Sequence, residues 1–128
     1  MSYEALLALH QAVGGDTALD ELVRLRCSQL NGCTYCIRLH SSAARQTGEP
    51  AERIDDLPWF RTSPHYTDAE RSALALAEAV TMVHSGRVSD EVLEAATEHH
   101  GQEKVTQLIW VAIVTNAFNR LAISTRVR

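Results

Sequence analysis

Residues 16–48 read DTALDELVRLRCSQLNGCTYCIRLHSSAARQTG, and the punctuation of this stretch decides how the rest of the chain is parsed. Asp16 or Thr17 offers a side-chain oxygen to the first free amides of a helix. Leu19, Leu22, Val23, Arg26 and Leu30 then recur at helical spacing along one stripe. Asn31-Gly32 is a pair suited to positive φ and should end that helix. A second helix begins around Cys33 and runs to about Thr47, where Gly48 followed by Glu49-Pro50 prevents continuation. No segment shows the polar–apolar alternation of a half-buried strand.

The same grammar recurs on both sides. Ser2 stands as the cap of a helix over 3–13, with Ala5, Leu6, Leu9 and Val13 on one stripe and Gly14-Gly15 at its end. From Glu49 to Tyr66 the pattern weakens, and Pro58, Pro64 and Trp59-Phe60 predict a short helical turn inside a long connection, with the aromatics covering the core. Thr67-Asp68-Ala69-Glu70 is a capping box opening a helix that carries Leu74, Ala77, Val80 and Met82 as far as Gly86. Ser89 caps a further helix that ends at His99-His100-Gly101. In the last helix, about Gln102 to Ser124, Val105, Leu108, Ile109, Val111, Ala112, Ile113 and Val114 cover more than one side of the wheel. Such a helix is either central to the core or packed against another subunit as well. The expected fold is all-α: a compact bundle of about six helices in a single domain spanning residues 1–128.

Composition narrows the function classes. A chain of 128 residues with 45% hydrophobic and 22% charged residues and three prolines is neither disordered nor of low complexity. Lys plus Arg is 12 against 16 for Asp plus Glu, a formal charge of −4, so there is no basic surplus for a nucleic-acid backbone. All of the bases except Lys104 are arginines, which suit bidentate ion pairs. The longest apolar run, Leu108 to Val114, is far short of the ~18 residues that signal a membrane span. Met1-Ser2-Tyr3-Glu4 lacks the basic-then-apolar pattern of a signal peptide, so the expected location is the cytoplasm. Thiols are kept reduced there, and a Cys-x-x-Cys pair then points to redox or metal chemistry before it points to a structural staple.

The chemistry concentrates in Glu21, Cys33, Cys36 and His40. On a helix starting at Cys33, positions 33, 36 and 40 share one face. A cysteine near a helix N-terminus is biased toward thiolate, the reactive form. His40, one turn beyond Cys36, can take its proton or pair with the thiolate, while a carboxylate holds the other ring nitrogen. Glu21, on the preceding helix, is the candidate for that carboxylate. Two cysteines beside a base suit attack by one thiolate on a peroxide oxygen or a disulfide sulfur, followed by closure of an internal disulfide by the second. The same donors also suit zinc, given a fourth ligand from Glu21, Cys27, His84, His99 or His100, and the blandest alternative is a pair of inert buried thiols. Glu21 can equally be a surface carboxylate paired with Arg24. Cys27 reads as a small buried hydrophobe, His99-His100 as a helix C-terminal pair, and His10, His65 and His84 as solvent-facing. Asn116, Asn119 and Arg120 need partners, either on a neighbouring loop or across a subunit interface. Trp59, Phe60 and Trp110 read as core or interface groups, or as an apolar wall near the cysteines.

Glu21, eleven intervening residues, Cys33-Thr34-Tyr35-Cys36, three residues and then His40 resemble the signature of the alkylhydroperoxidase D-like branch of the carboxymuconolactone decarboxylase family. The run Leu22–Gly32 and the segment Asn116-Ala117-Phe118-Asn119-Arg120-Leu121 resemble members of that branch too. The resemblance implies an all-helical domain that assembles as homotrimers or homohexamers. It also implies reduction of an organic peroxide or hydrogen peroxide without haem, flavin or metal, and re-reduction by a thiol or a lipoyl-protein. In that picture Cys36 attacks, Cys33 resolves, His40 relays the proton and Glu21 completes the relay. The helix dipole alone favours Cys33 as nucleophile, whereas the spacing to His40 favours Cys36. Thr34 and Tyr35 stand where some members carry a histidine, leaving Tyr35 as the alternative donor. Two other functions compete: a thiol–disulfide oxidoreductase passing electrons to a partner peroxidase, and a non-enzymatic zinc-binding helical module.

Overall fold

Two capping boxes fix where the central helices start. Thr17 Oγ1 accepts the Asp20 backbone N–H while the Asp20 carboxylate accepts that of Thr17, and Thr67 and Glu70 do the same for each other. In the computed structural model, which describes residues 1–128, the order is α1 (Ser2–Val13), α2 (Ala18–Asn31), α3 (Thr34–Gln46), α4 (Ala51–Asp56), a 3-10 turn (Leu57–Trp59), α5 (Asp68–Thr81), α6 (Val83–Gly86), α7 (Asp90–His100) and α8 (Gln102–Ser124). There is no strand. There are eight helices against the six expected: α4 and the 3-10 turn supply the short helical turn expected inside the 49–66 connection, and α6 is additional. The helix opened by Thr67 does not run to Gly86. It stops at Thr81 with Met82 outside helical geometry (φ −99°, ψ 31°), where β-branched Thr81 and Val83 and the poor helix formers Ser85 and Gly86 weaken propagation. Ser2 is not a cap either: it lies inside α1, whose start at Met1 carries no side-chain cap.

Helix α2 is the hub, packing against α3, α5 and α8. Leu22, Val23 and Leu25 on α2, Leu74 and Leu76 on α5, and Leu108 and Val111 on α8 meet in one core. Phe60 closes that core from the connection, as its sequence position suggests, but the neighbouring Trp59 is 65% exposed and covers nothing. Helix α8 is not buried all round. Val105, Leu108, Val111, Ala112 and Asn119 face inward, while Trp110, Ile113 and Leu121 form an exposed row on the opposite side.

The chain reverses between α2 and α3 at Gly32, which sits in the left-handed region (φ 66°, ψ 30°). Its N–H bonds back to Gln29 O at 3.1 Å and the next amide, from Cys33, reaches Ser28 O at 3.1 Å. Glycine adopts this conformation without the Cβ penalty, and α3 folds back along α2 as a result.

The asparagines of α8 hold that reversal in place. Asn31 Nδ2 donates to Asn116 Oδ1 and Asn119 Oδ1, both at 2.9 Å, and Asn119 Nδ2 donates to Ser28 Oγ at 3.0 Å. Asn116 Nδ2 donates to Thr81 Oγ1 at 3.0 Å, tying in the end of α5. These side chains bind three helices of one chain, and Arg120 joins them by donating to Asn116 Oδ1 at 2.7 Å. Thr81 Oγ1 in turn donates to Cys27 Sγ at 3.3 Å, and burial pushes the Cys27 thiol up to about 11. Cys27 is therefore a core residue, as its position predicts. No buried side-chain polar atom lacks a partner.

Asn119→Ala should cost about 2 kcal/mol, because it removes two hydrogen bonds and leaves Ser28 short of a buried partner. Urea unfolding measures this, and a loss below ~0.5 kcal/mol would show that the network is incidental.

Candidate active site

The site begins at a turn some distance from the cysteines. Gly14 and Gly15 end α1 with positive φ (69° and 91°). Their carbonyls receive the Arg24 guanidinium, Nη2 on Gly14 O at 2.9 Å and Nη1 on Gly15 O at 2.5 Å. A Cβ on Gly15 would lie 3.2 Å from Arg24 Nη2, Asp20 Cγ and Val111 Cγ2, so the position admits no side chain without displacing its neighbours. Arg24 is 3% exposed, and its Nη1 also donates to Glu21 Oε1 at 2.8 Å. The second carboxylate oxygen, Glu21 Oε2, lies 3.2 Å from His40 Nδ1.

Burial raises the Glu21 pKa, but the His40 hydrogen bond and the positive charges of Arg24 and His40 outweigh it, and the carboxyl stays below its ordinary value. An ionised carboxylate only accepts. His40 Nδ1 therefore carries the proton of this hydrogen bond, and Nε2 is left as the nitrogen that can gain or lose one. Glu21 thus combines both sequence readings, pairing with Arg24 through one oxygen and orienting His40 through the other.

Cys33 and Cys36 are joined in a disulfide, with Cα atoms 5.2 Å apart and exposures of 2% and 4%. Cys33 is not the first residue of α3 but its cap, with extended backbone (φ −84°, ψ 96°) and a sulfur that accepts the Cys36 N–H at 3.3 Å. The helix thus starts one residue later than position 33, and the disulfide keeps the two sulfurs together. The disulfide lies between two cavities. Cys36 and His40 line one of about 530 Å³; Cys33 lines another of about 490 Å³.

The Cys36 cavity is mostly apolar, walled by Tyr3 and Leu7 of α1, Leu39 of α3 and Phe118 and Leu121 of α8. Tyr3 and His10 both stand edge-on to Phe118, with ring centroids 6.3 and 5.9 Å away. The expectation that His10 faces solvent is corrected: it is half-buried in this wall because α1 packs on α8. Burial, followed by the nearby Arg24 charge, lowers its pKa, so its ring is neutral at pH 7. Tyr35 also lines this cavity. Trp59, Phe60 and Trp110 do not, and Phe118 supplies the aromatic surface instead. Sequence reasoning missed His10 and Phe118 as parts of the site, and had Arg24 only as a surface partner of Glu21. The only signal for Arg24 was its position one turn beyond Glu21.

The residues weighed as a fourth zinc ligand do not reach the cysteine pair. Cys27 is in the core, His84 is exposed on α6, and His99 is exposed at the end of α7. His100 contacts Ala69 O at 2.7 Å. No three His, Cys, Asp or Glu side chains converge as metal ligands. No helix is long and apolar enough to cross a membrane.

The sequence pattern of the carboxymuconolactone decarboxylase family matches residues 2–79, the part that contains Glu21, both cysteines of the pair and His40. YdfG of Bacillus subtilis strain 168, an uncharacterized protein, is 38% identical over 104 residues, 81% of this chain and 71% of that protein. The crystal structure of ATU0492 from Agrobacterium tumefaciens, a protein of unknown function linked to AhpD antioxidant defence, matches with a TM-score of 0.94 at 28% identity, over 99% of this chain and 89% of its own. With the sequence pattern, the helical architecture and these relatives in agreement, the chain belongs to the carboxymuconolactone decarboxylase family, on its AhpD-like branch.

Proposed function

We propose that the protein is a cysteine-dependent peroxidase that reduces an organic peroxide or hydrogen peroxide through the Cys33/Cys36 pair. The observation that carries this reading is the shared cavity of Cys36 and His40, with His40 Nδ1 held by Glu21. In the dithiol form, the Cys36 proton passes to His40 Nε2 and the thiolate attacks the outer peroxide oxygen. The O–O bond breaks, Cys36 becomes a sulfenic acid, and the departing alkoxide takes the proton back from His40. The Cys33 thiol then attacks Cys36 Sγ, water leaves and the disulfide closes. In sum, one peroxide and two thiols become one alcohol, one disulfide and one water. The spacing of the two Cα atoms suits that closure. The apolar wall favours an organic hydroperoxide over a strongly polar one.

The near burial of both sulfurs weighs against a folded protein disulfide as substrate, and hence against the electron-relay alternative. The scattered donors weigh against the zinc-binding module. The exposed row of Trp110, Ile113 and Leu121 supports assembly of the chain as a homotrimer or homohexamer, since apolar rows of this kind mark interaction surfaces. Light scattering in solution should give three or six chain masses, and a single chain mass would refute the assembly.

Titration of the reduced protein with one equivalent of cumene hydroperoxide should consume two thiols per chain. Cys36→Ser should abolish the loss, and Cys33→Ser should stop at a sulfenic acid that dimedone traps. An unchanged thiol count in the intact protein would exclude direct peroxide reduction.

His40→Ala and Glu21→Gln should each slow thiol oxidation about 10²-fold at pH 7. For His40→Ala much of the rate should return as pH rises toward ~8.5, where a free thiol ionises unaided. Stopped-flow rates across pH 6 to 9 test this, and rates equal to the parent's at pH 7 would remove both residues from the mechanism.

A further inference from the structure

Resting on the peroxidase reading, we propose that the second cavity, on the Cys33 side, is the binding site of the reductant, a small thiol that carries carboxylate groups. Cys33, Thr34 and Arg38 at the start of α3 line it together with the tail residues Arg126 and Arg128, in a volume of about 490 Å³. That volume suits a small molecule. Val127 lines this cavity and the apolar one, so the tail lies between two chambers that meet at a single disulfide.

Charge distinguishes the chambers. Seven ion pairs occupy Arg24, Arg26, Arg53, Arg61, Arg71 and Lys104, but none includes Arg38, Arg126 or Arg128. In a chain of net charge −4, three arginines without carboxylate partners are thus gathered around one sulfur. The tail that carries two of them is folded back rather than free: Val127 N bonds to Ala122 O at 2.9 Å and Arg126 N to Ile123 O at 3.2 Å, with Arg126 at φ 60°. The N-terminus of α3 opens on the same cavity and adds its positive end. The apolar chamber offers a carboxylate no comparable partner, and desolvating one there would be costly.

The chemistry of exchange favours the same side. A thiolate displaces the sulfur that leaves as the more stable thiolate. Attack on Cys33 Sγ expels the Cys36 thiolate into the chamber that holds His40, which returns the nucleophile to the place where peroxide arrives. The first step forms a mixed disulfide between the reductant and Cys33 and breaks the Cys33–Cys36 bond. A second reductant thiolate then attacks the reductant's sulfur and releases Cys33 as thiolate. Two thiols are oxidised to their disulfide, and the protein disulfide is reduced to the dithiol.

The two half-reactions are measured separately on the full chain. Oxidation of the dithiol by cumene hydroperoxide reports on the peroxidase reading alone. Reduction of the disulfide is timed with mercaptosuccinate and with uncharged 2-mercaptoethanol, in the parent and in the R38Q/R126Q/R128Q variant. The ratio of the mercaptosuccinate rate to the 2-mercaptoethanol rate should fall about tenfold in the variant. In the parent that ratio should also decline as salt rises from ~20 to ~500 mM. Acid-quenched peptide mapping of the parent should find the mercaptosuccinate adduct on Cys33. A ratio insensitive to both salt and the substitutions, or an adduct on Cys36, overturns the site. Should the triple variant fold poorly, R38Q alone and the salt series of the parent decide the question. Failure of the hydroperoxide step with the charge preference intact would instead sink the peroxidase reading and leave the anionic thiol site standing.

Discussion

The Arg24 guanidinium is the point from which the geometry of the site is set. Almost wholly buried, it satisfies the carbonyls of Gly14 and Gly15 and one oxygen of Glu21 at once. A buried cation is tolerated only with such complete pairing. The arrangement makes three otherwise separate features interdependent: the turn between α1 and α2, the direction of the Glu21 side chain, and through Glu21 the tautomer of His40. It also keeps Glu21 ionised in spite of burial. A carboxylate set on a helix surface without this anchor would be free to choose another partner, and the histidine would lose its orientation with it.

The disulfide contributes little to stability. Its two cysteines lie three apart in sequence, so the ring they close removes little chain entropy from the unfolded state, and opening it costs the fold little. The framework is held instead by the Asn31–Asn116–Asn119 network and the α2, α5 and α8 core, neither of which includes a sulfur that must change state. The third thiol, Cys27, belongs to that core, and its raised pKa keeps it out of exchange. Structure and the proposed redox chemistry thereby fall to different residues.

Much of this was legible in the sequence because it is written in local signals. A cap at Asp16 or Thr17, the capping box at Thr67, the Asn31-Gly32 stop and the helical stripes gave the all-α fold and most helix limits. The spacing of Glu21, Cys33, Cys36 and His40 gave the centre of the site. What escaped was decided by tertiary placement. His10 looks like any polar residue on an amphipathic helix until α1 packs on α8, and Phe118 is one apolar residue among many in a long helix. The start of α3 has a local cause: one residue of difference turns position 33 from a helical position into a cap, and Cys33 then borders a second cavity. The break at Met82 escaped for a similar reason, since the apolar stripe continues through it while the backbone does not.

Helix α1 contributes Tyr3, Leu7 and His10 to the apolar chamber, yet none of its residues is fully buried. An element so lightly held opens locally at low free energy, well before the core does. The chamber consequently has one compliant wall and one stiff one, α3 being fixed by its reversal and by the Glu21–His40 bond. Under the proposed reaction, outward displacement of α1 would accommodate hydroperoxides of differing chain length while Cys36 and His40 keep their register. Breadth toward the organic portion of the peroxide, with strictness at the O–O bond, is what that asymmetry implies for the proposed peroxidase.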